Sequence, residues 1–157
     1  MILPTPSSDI PPVLAGPILR RLEPQRLVLW LVGSEPLSLS LLLKPAGAAS
    51  QRLDLDDTHC RIVPIGLHAH IHLIDVELDS PLPSETVIHY DLITRAADGQ
   101  EQGIANWAPH LLHDGEPLPS MVLSTRTDNI MFGSCRKPHH ASKDGLAHAD
   151  SVLAPHI

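Results

Sequence analysis

The chain has 157 residues, the size of one compact domain, and 43% of them are hydrophobic against 18% charged. That apolar content can build a core and excludes disorder throughout, while sixteen prolines argue against long helices, since each removes a backbone donor and fixes φ. Eleven basic and 18 acidic residues give a net charge of -7 at pH 7, and the one basic concentration, Arg126, Arg136, Lys137 and Lys143, is diluted by Asp128 and Asp144; nucleic acid is not an expected partner.

Residues 1–12 carry Pro4, Pro6, Pro11 and Pro12 and read as a flexible, extended leader. They have neither a basic n-region nor an apolar h-region, so no secretory signal is read there. Short apolar runs separated by turn residues follow, which is the pattern of an all-β chain. The first run, 13–19, is broken by Gly16-Pro17. Residues 26–32 then form a nearly continuous apolar strand. In 37–44 the alternation places Leu37, Leu39, Leu41 and Leu43 on one face. The greasiest stretch, 27–43, is cut by Gly33-Ser34-Glu35-Pro36 and falls short of the ~20 apolar residues that span a bilayer. No membrane is expected, and the expected location is the cytoplasm.

Residues 53–57 read as a charged edge or turn. Strands are expected at 60–65 and 68–78, separated by Gly66, and at 86–94 after a Pro81–Ser84 turn. Asp98-Gly99 suits a hairpin. Residues 99–120 read as a long polar loop holding Trp107, and 121–125 as a final strand. Together these predict a mainly β fold, an antiparallel sandwich of immunoglobulin or fibronectin type over 13–124. Beyond it the character changes. A short apolar strand at 129–134 precedes Leu146, Ala149, Val152 and Leu153 at helical spacing, a strand-loop-helix like the start of an α/β unit.

Two groups of residues could carry chemistry. His68, His70 and His72 alternate, so they share a strand face and could bind zinc or copper. The same alternation equally describes a solvated face, with Ala69, Ile71 and Leu73 on the core side. Cys135 follows a strand and precedes a helix, where thiols are activated, and His139, His140 and His148 lie nearby in sequence. It could equally be a half-buried thiol that fills space. Asp54, Asp56 and Asp57 lack the glycine and closing glutamate of a calcium loop and read as a charged turn. Cys60 and Cys135 show no disulfide pattern.

Three segments resemble one family: 16–30 (Gly-Pro-Ile-Leu-Arg-Arg-Leu-Glu-Pro-Gln-Arg-Leu-Val-Leu-Trp), 83–92 (Pro-Ser-Glu-Thr-Val-Ile-His-Tyr-Asp-Leu), and above all 124–139 with its Gly-Ser-Cys-Arg-Lys-Pro-His end, followed by Leu146-Ala-His-Ala-Asp150. They look like the amino-terminal region of PhoD-like metallophosphatases, the alkaline phosphatase D proteins, and the resemblance spans roughly 13–153. It implies an immunoglobulin-like sandwich at 13–124 and, at 125–157, the truncated beginning of a metallophosphatase domain that hydrolyses phosphate esters. By the same resemblance Cys135 is the one metal ligand carried over, and iron and calcium are the ions expected in full-length members. The carboxylate-rich Gly-Asp-Gln-like segment is not within these 157 residues, so this chain alone is expected to hold no cofactor and to be catalytically silent. Its expected partner is the catalytic metallophosphatase domain, with self-association through the truncated C-terminal element. A stand-alone binding module, holding a metal through its histidines or a partner through its strand edges, is the alternative.

Overall fold

The computed structural model describes residues 10–113, 115–126 and 128. The chain divides into two units, 1–126 and 127–157, and the described fold belongs to the first. The expected strand at 129–134 and the helical spacing at 143–153 lie outside the described residues, as do residues 1–9.

Nine strands are formed among the described residues: β1 (Val13–Glu23), β2 (Arg26–Gly33), β3 (Ser38–Pro45), β4 (Gln51–Leu55), β5 (Cys60–Gly66), β6 (Ala69–Glu77), β7 (Val87–Arg95), β8 (Glu101–Gln102) and β9 (Ser120–Val122). They make a sandwich of two antiparallel sheets. One has the order β1-β2-β6-β5; the other has the order β4-β3-β7-β8, with β9 also on β7. Period-two alternation explains the core. Leu27, Leu29, Leu31, Ile74 and Val76 face inward from the first sheet, and Leu39, Leu41, Leu43, Ile88 and Leu92 from the second. Each such side chain, fully buried, contributes about 1.5–3 kcal/mol, so the layer between the sheets holds the fold.

Several expectations are corrected. Gly16-Pro17 does not end the first strand: β1 runs on to Glu23, because it is an edge strand where a proline's missing donor costs no ladder bond. Gly16 has φ +90°, and a Cβ there would stand 2.7 Å from the Trp30 carbonyl oxygen, so only glycine lets β1 lie this close to β2. Residues 53–57, by contrast, meet the edge expectation: Leu53, Asp54 and Leu55 belong to β4, an edge strand of the second sheet.

Residues 99–120 are not merely a polar loop. They hold β8, a helical turn α1 (Ile104–Trp107), a 3-10 turn (Pro109–Leu111) and the start of β9. Ile104 is fully buried in the core. The free edge of β7 organises this segment: β8 covers one end, at Thr94 and Arg95, and β9 the other, at Val87 to His89. Between them the Asp91 carboxylate accepts the Ile104 N–H at 2.7 Å, the Trp107 indole donates to the Leu92 carbonyl at 3.3 Å, and the Tyr90 N–H donates to the Pro119 carbonyl at 3.0 Å. An edge that would invite pairing with another chain is thereby closed.

Gly103 sits against this cap, and a Cβ at that position would run into the Asp91 carboxylate. Gly103→Ala should therefore displace Asp91 from the Ile104 N–H and cost about 1 kcal/mol, the usual worth of a helix cap. Urea unfolding followed by circular dichroism checks this, and Asp91→Ala should show a loss of the same size.

Candidate functional site

The histidine row lies on β6, and its burial is opposite to the solvated-face expectation. His72, Ile74 and Val76 are buried, whereas Leu73, Asp75 and Glu77 are exposed. Parity decides it: the even positions share a face with Ile74 and Val76, and Asp75 and Glu77 demand that the odd face meet water. Ala69, Ile71 and Leu73 are therefore not the core side. His68 precedes the strand and is exposed.

His72 has no exposed surface and both ring nitrogens are used. Nδ1 donates to the His70 carbonyl at 3.0 Å, and Nε2 accepts the Leu37 N–H at 3.0 Å. The ring is thus neutral with its proton on Nδ1, and it joins β6 of the first sheet to the segment that leads into β3 of the second. Its ladder neighbours are Leu31 and Ile62. Gly33 makes room for the ring, since a Cβ there would stand 2.9 Å from the His72 Cε1. Burial pushes the His72 pKa below its ordinary 6.5, partly opposed by the bond to the His70 carbonyl. His70 points the same way along the strand, and its Nδ1 is buried without a hydrogen-bond partner. His72 has no lone pair to spare for a metal. Among the described residues no three His, Cys, Asp or Glu side chains are grouped to hold a metal ion.

Cys60 opens β5 and is 7% exposed. Burial, with Asp57 as the smaller cause, pushes its thiol up to about 11, so at neutral pH it stays protonated and is a poor nucleophile. It lines a cleft of about 320 Å³ with Leu37, Leu39, Leu55, Ile62, Asp54 and Arg95. Of the aspartates beside it, Asp56 is occupied within the turn. Asp56 accepts the Thr58 N–H at 2.9 Å and the Thr58 hydroxyl at 2.6 Å, and lies 2.7 Å from the His59 Nδ1. These bonds, those from Thr58 foremost, bring the Asp56 carboxyl down to about 2.

A polar network crosses the outer face of the second sheet. Arg52 on β4 donates twice to Glu101 on β8, at 3.1 and 2.6 Å. Arg95 on β7 donates to the same carboxylate at 3.1 and 2.9 Å, and hydrogen bonds from Arg52 and then Arg95 hold Glu101 at about 2. The buried Ser40 hydroxyl on β3 donates to Asp54 at 2.6 Å and accepts from Arg52 at 3.3 Å. Four strands are stapled across, and every group is matched.

At the end of the sandwich Glu85 holds the last described residues. It has φ +53°, a conformation that side chains disfavour. Its carboxylate accepts the Thr125 N–H, the Thr125 hydroxyl at 2.9 Å and the Ser124 hydroxyl at 3.2 Å, and these bonds, the Thr125 N–H first, lower its pKa. No pattern in the sequence marks Glu85, Asp91 or Glu101 for these tasks, because each acts across a turn or between strands far apart in the chain. Cys135, His139, His140 and His148 lie outside the described residues.

No protein-family model matches the chain, and no curated protein matches it. Among solved structures it is similar to a chain described as the archaellum periplasmic stator protein complex FlaF and FlaG from Sulfolobus acidocaldarius, with a TM-score of 0.35 and 11% identity, covering 64% of this chain and 96% of that one. A likeness at that level carries no argument.

The His72 geometry sets a pH dependence. The unfolded imidazole titrates at 6.5 and the folded one lower, so the unfolded state binds more protons below 6.5. The stability that His72 contributes is complete above pH 6.5 and is lost as pH falls from there through the folded value. His72→Leu, which strands the Leu37 N–H, should cost about 1–3 kcal/mol at neutral pH and flatten this part of the profile. Chemical denaturation at a series of pH values checks both, and an unchanged slope in the variant would count against the assignment.

Proposed function

We propose that this chain is the amino-terminal part of a PhoD-like metallophosphatase, with an immunoglobulin-like sandwich over 13–124 acting as an accessory domain to a metal-dependent phosphoric ester hydrolase. The observation that carries the reading is the stretch 124–139, Ser-Thr-Arg-Thr-Asp-Asn-Ile-Met-Phe-Gly-Ser-Cys-Arg-Lys-Pro-His, which begins where the last sandwich strand ends. The strand orders support it. When β1, β2, β5 and β6 stand for strands A, B, D and E, and β3, β4, β7 and β8 for C, C′, F and G, the sheets read A-B-E-D and C′-C-F-G, as in immunoglobulin domains. The Glu85 bonds to Ser124 and Thr125 also fit a domain whose exit strand must be held.

In this reading the sandwich shapes and supports, and catalysis belongs to the metallophosphatase domain, its partner. Cys135 is the residue here that would ligate iron in that domain. The described residues do not fit a two-metal centre, which needs several bridging carboxylates: among them no three His, Cys, Asp or Glu side chains are grouped to hold a metal ion. No catalytic step is assigned to the sandwich. A stand-alone module that held a metal through His72 would need that residue to surrender the Leu37 N–H, which disfavours that form of the alternative.

The purified chain, supplied with iron and calcium, should neither retain stoichiometric metal nor hydrolyse chromogenic phosphate mono- or diesters. The coding sequence beyond codon 157 should encode a Gly-Asp-Gln-like, carboxylate-rich segment. Turnover by the chain itself, abolished in Cys135→Ser, would overturn the accessory role; a following sequence with no such segment would overturn the family reading.

A further inference from the structure

The connection from β2 to β3, residues 34–37, carries the chain from the first sheet to the second. Few bonds hold it. The Ser34 N–H donates to the Pro12 carbonyl at 2.9 Å, and Pro36 has no N–H to give. Among the described residues, the Leu37 N–H to His72 Nε2, at 3.0 Å, is the one hydrogen bond that residues 35–37 make. Glu35 and Pro36 are exposed. The same segment walls the side cleft, which Pro36 and Leu37 line together with Cys60 and Ile62. A buried, titratable ring on β6 thus holds by a single bond a segment that closes the cleft on which Cys60 lies.

We propose that His72 is a proton-operated latch on this connection: when Nε2 takes a proton the Leu37 bond breaks, residues 34–37 swing out, and the side cleft opens to Cys60 while the sandwich stays folded. Nε2 uses its lone pair to accept the Leu37 N–H, and Nδ1 already donates to the His70 carbonyl at 3.0 Å. A proton on Nε2 sets two donors against each other at 3.0 Å, and one has to leave. The ring cannot: Leu31 and Ile62 flank it in the ladder, and none of its surface is exposed. Residues 35 and 36 already meet water, so the Leu37 N–H is the partner that turns outward.

The surroundings set the direction of the switch. On its own strand His70 is a titratable neighbour whose charge opposes a second one. β2 presents Leu31 and Gly33, and β5 presents Ile62 beside Cys60, whose thiol stays protonated up to about 11. The inward residues of β3 and β7 are apolar apart from Thr94 and Tyr90, a phenol that burial holds above its ordinary 10. Glu35, on the connection, is exposed. Among the described residues no carboxylate acts on the ring, so the imidazole holds a proton better once opening brings it to water. Below the ordinary 6.5, each pH unit then favours the open form by up to about tenfold, until the closed ring itself titrates. The inference does not rest on the phosphatase reading.

The test uses the full chain with Cys135→Ser, which leaves Cys60 as the one thiol. Its labelling by dithiodipyridine, a reagent that works in acid, is followed from about pH 7.5 to about pH 4.5 against free cysteine as reference. Relative labelling should rise by up to about tenfold per pH unit as pH falls. Hydrogen exchange should show the Leu37 amide opening over the same range while the Leu41 and Ile88 amides stay protected. His72→Gln, whose Oε1 can accept the Leu37 N–H without titrating, should abolish the rise. A Cys60 labelled no faster in acid would overturn the proposal. So would labelling that rises only where Leu41 and Ile88 also open, since the whole sandwich is then unfolding. A folded His72→Gln chain that keeps the rise would also overturn it and hand the switch to His70. If that variant does not fold, the His72 ring titration in the unsubstituted chain decides by nuclear magnetic resonance. A ring that protonates together with Leu37 opening supports the latch, and a Leu37 amide that opens beside a still-neutral His72 overturns it.

Discussion

The sandwich depends on one layer of aliphatic side chains, with Leu27, Leu29 and Leu31 on one side and Leu39, Leu41 and Leu43 on the other. With aromatics only 3% of the chain, shape in this core comes from branched residues that must interdigitate. The layer also fixes strand register, because sliding any of these strands by one residue would turn its leucines to water. Everything polar in the fold is arranged around that requirement: the Arg52–Glu101 network on one outer face, the Asp91 cap on the β7 edge, and His72 where the two sheets are joined.

His72 is the exception that the layer tolerates. A buried imidazole is acceptable only because both nitrogens find backbone partners, and one of them, the Leu37 N–H, belongs to the crossover between the sheets. The residue is therefore a structural cross-link. Of the three alternating histidines, His72 is explained by packing. Cys60, whose burial keeps the thiol protonated, is in the same position. His72 and Cys60 are thus committed to the architecture, whereas the His70 Nδ1 is buried without a hydrogen-bond partner.

Much of the fold was legible in the sequence because period-two alternation is strong in Leu39, Leu41 and Leu43 and in Ile88, Tyr90 and Leu92. Alternation over 68–73 alone fits either face of β6; the parity of Asp75 and Glu77 in the same strand puts His72 inside. Residues 99–120 look like a loop in sequence because β8 has two residues and α1 four, too few to show a period. Their order comes from Asp91 and from the edge of β7, which only the folded chain brings near. The Gly16-Pro17 break failed for a similar reason, since an edge position cannot be told from a central one before the strand order is known.

The central claim is that His72 serves the fold through its two backbone hydrogen bonds. A long-range proton–nitrogen correlation spectrum of the imidazole rings, recorded with and without one equivalent of zinc, tests it most directly. The account predicts that His72 shows a protonated Nδ1 and an unprotonated Nε2, and that zinc leaves its resonances where they are. A zinc-induced shift of His72 Nε2, with loss of the Leu37 amide bond, would contradict it and return the row to a metal-binding role.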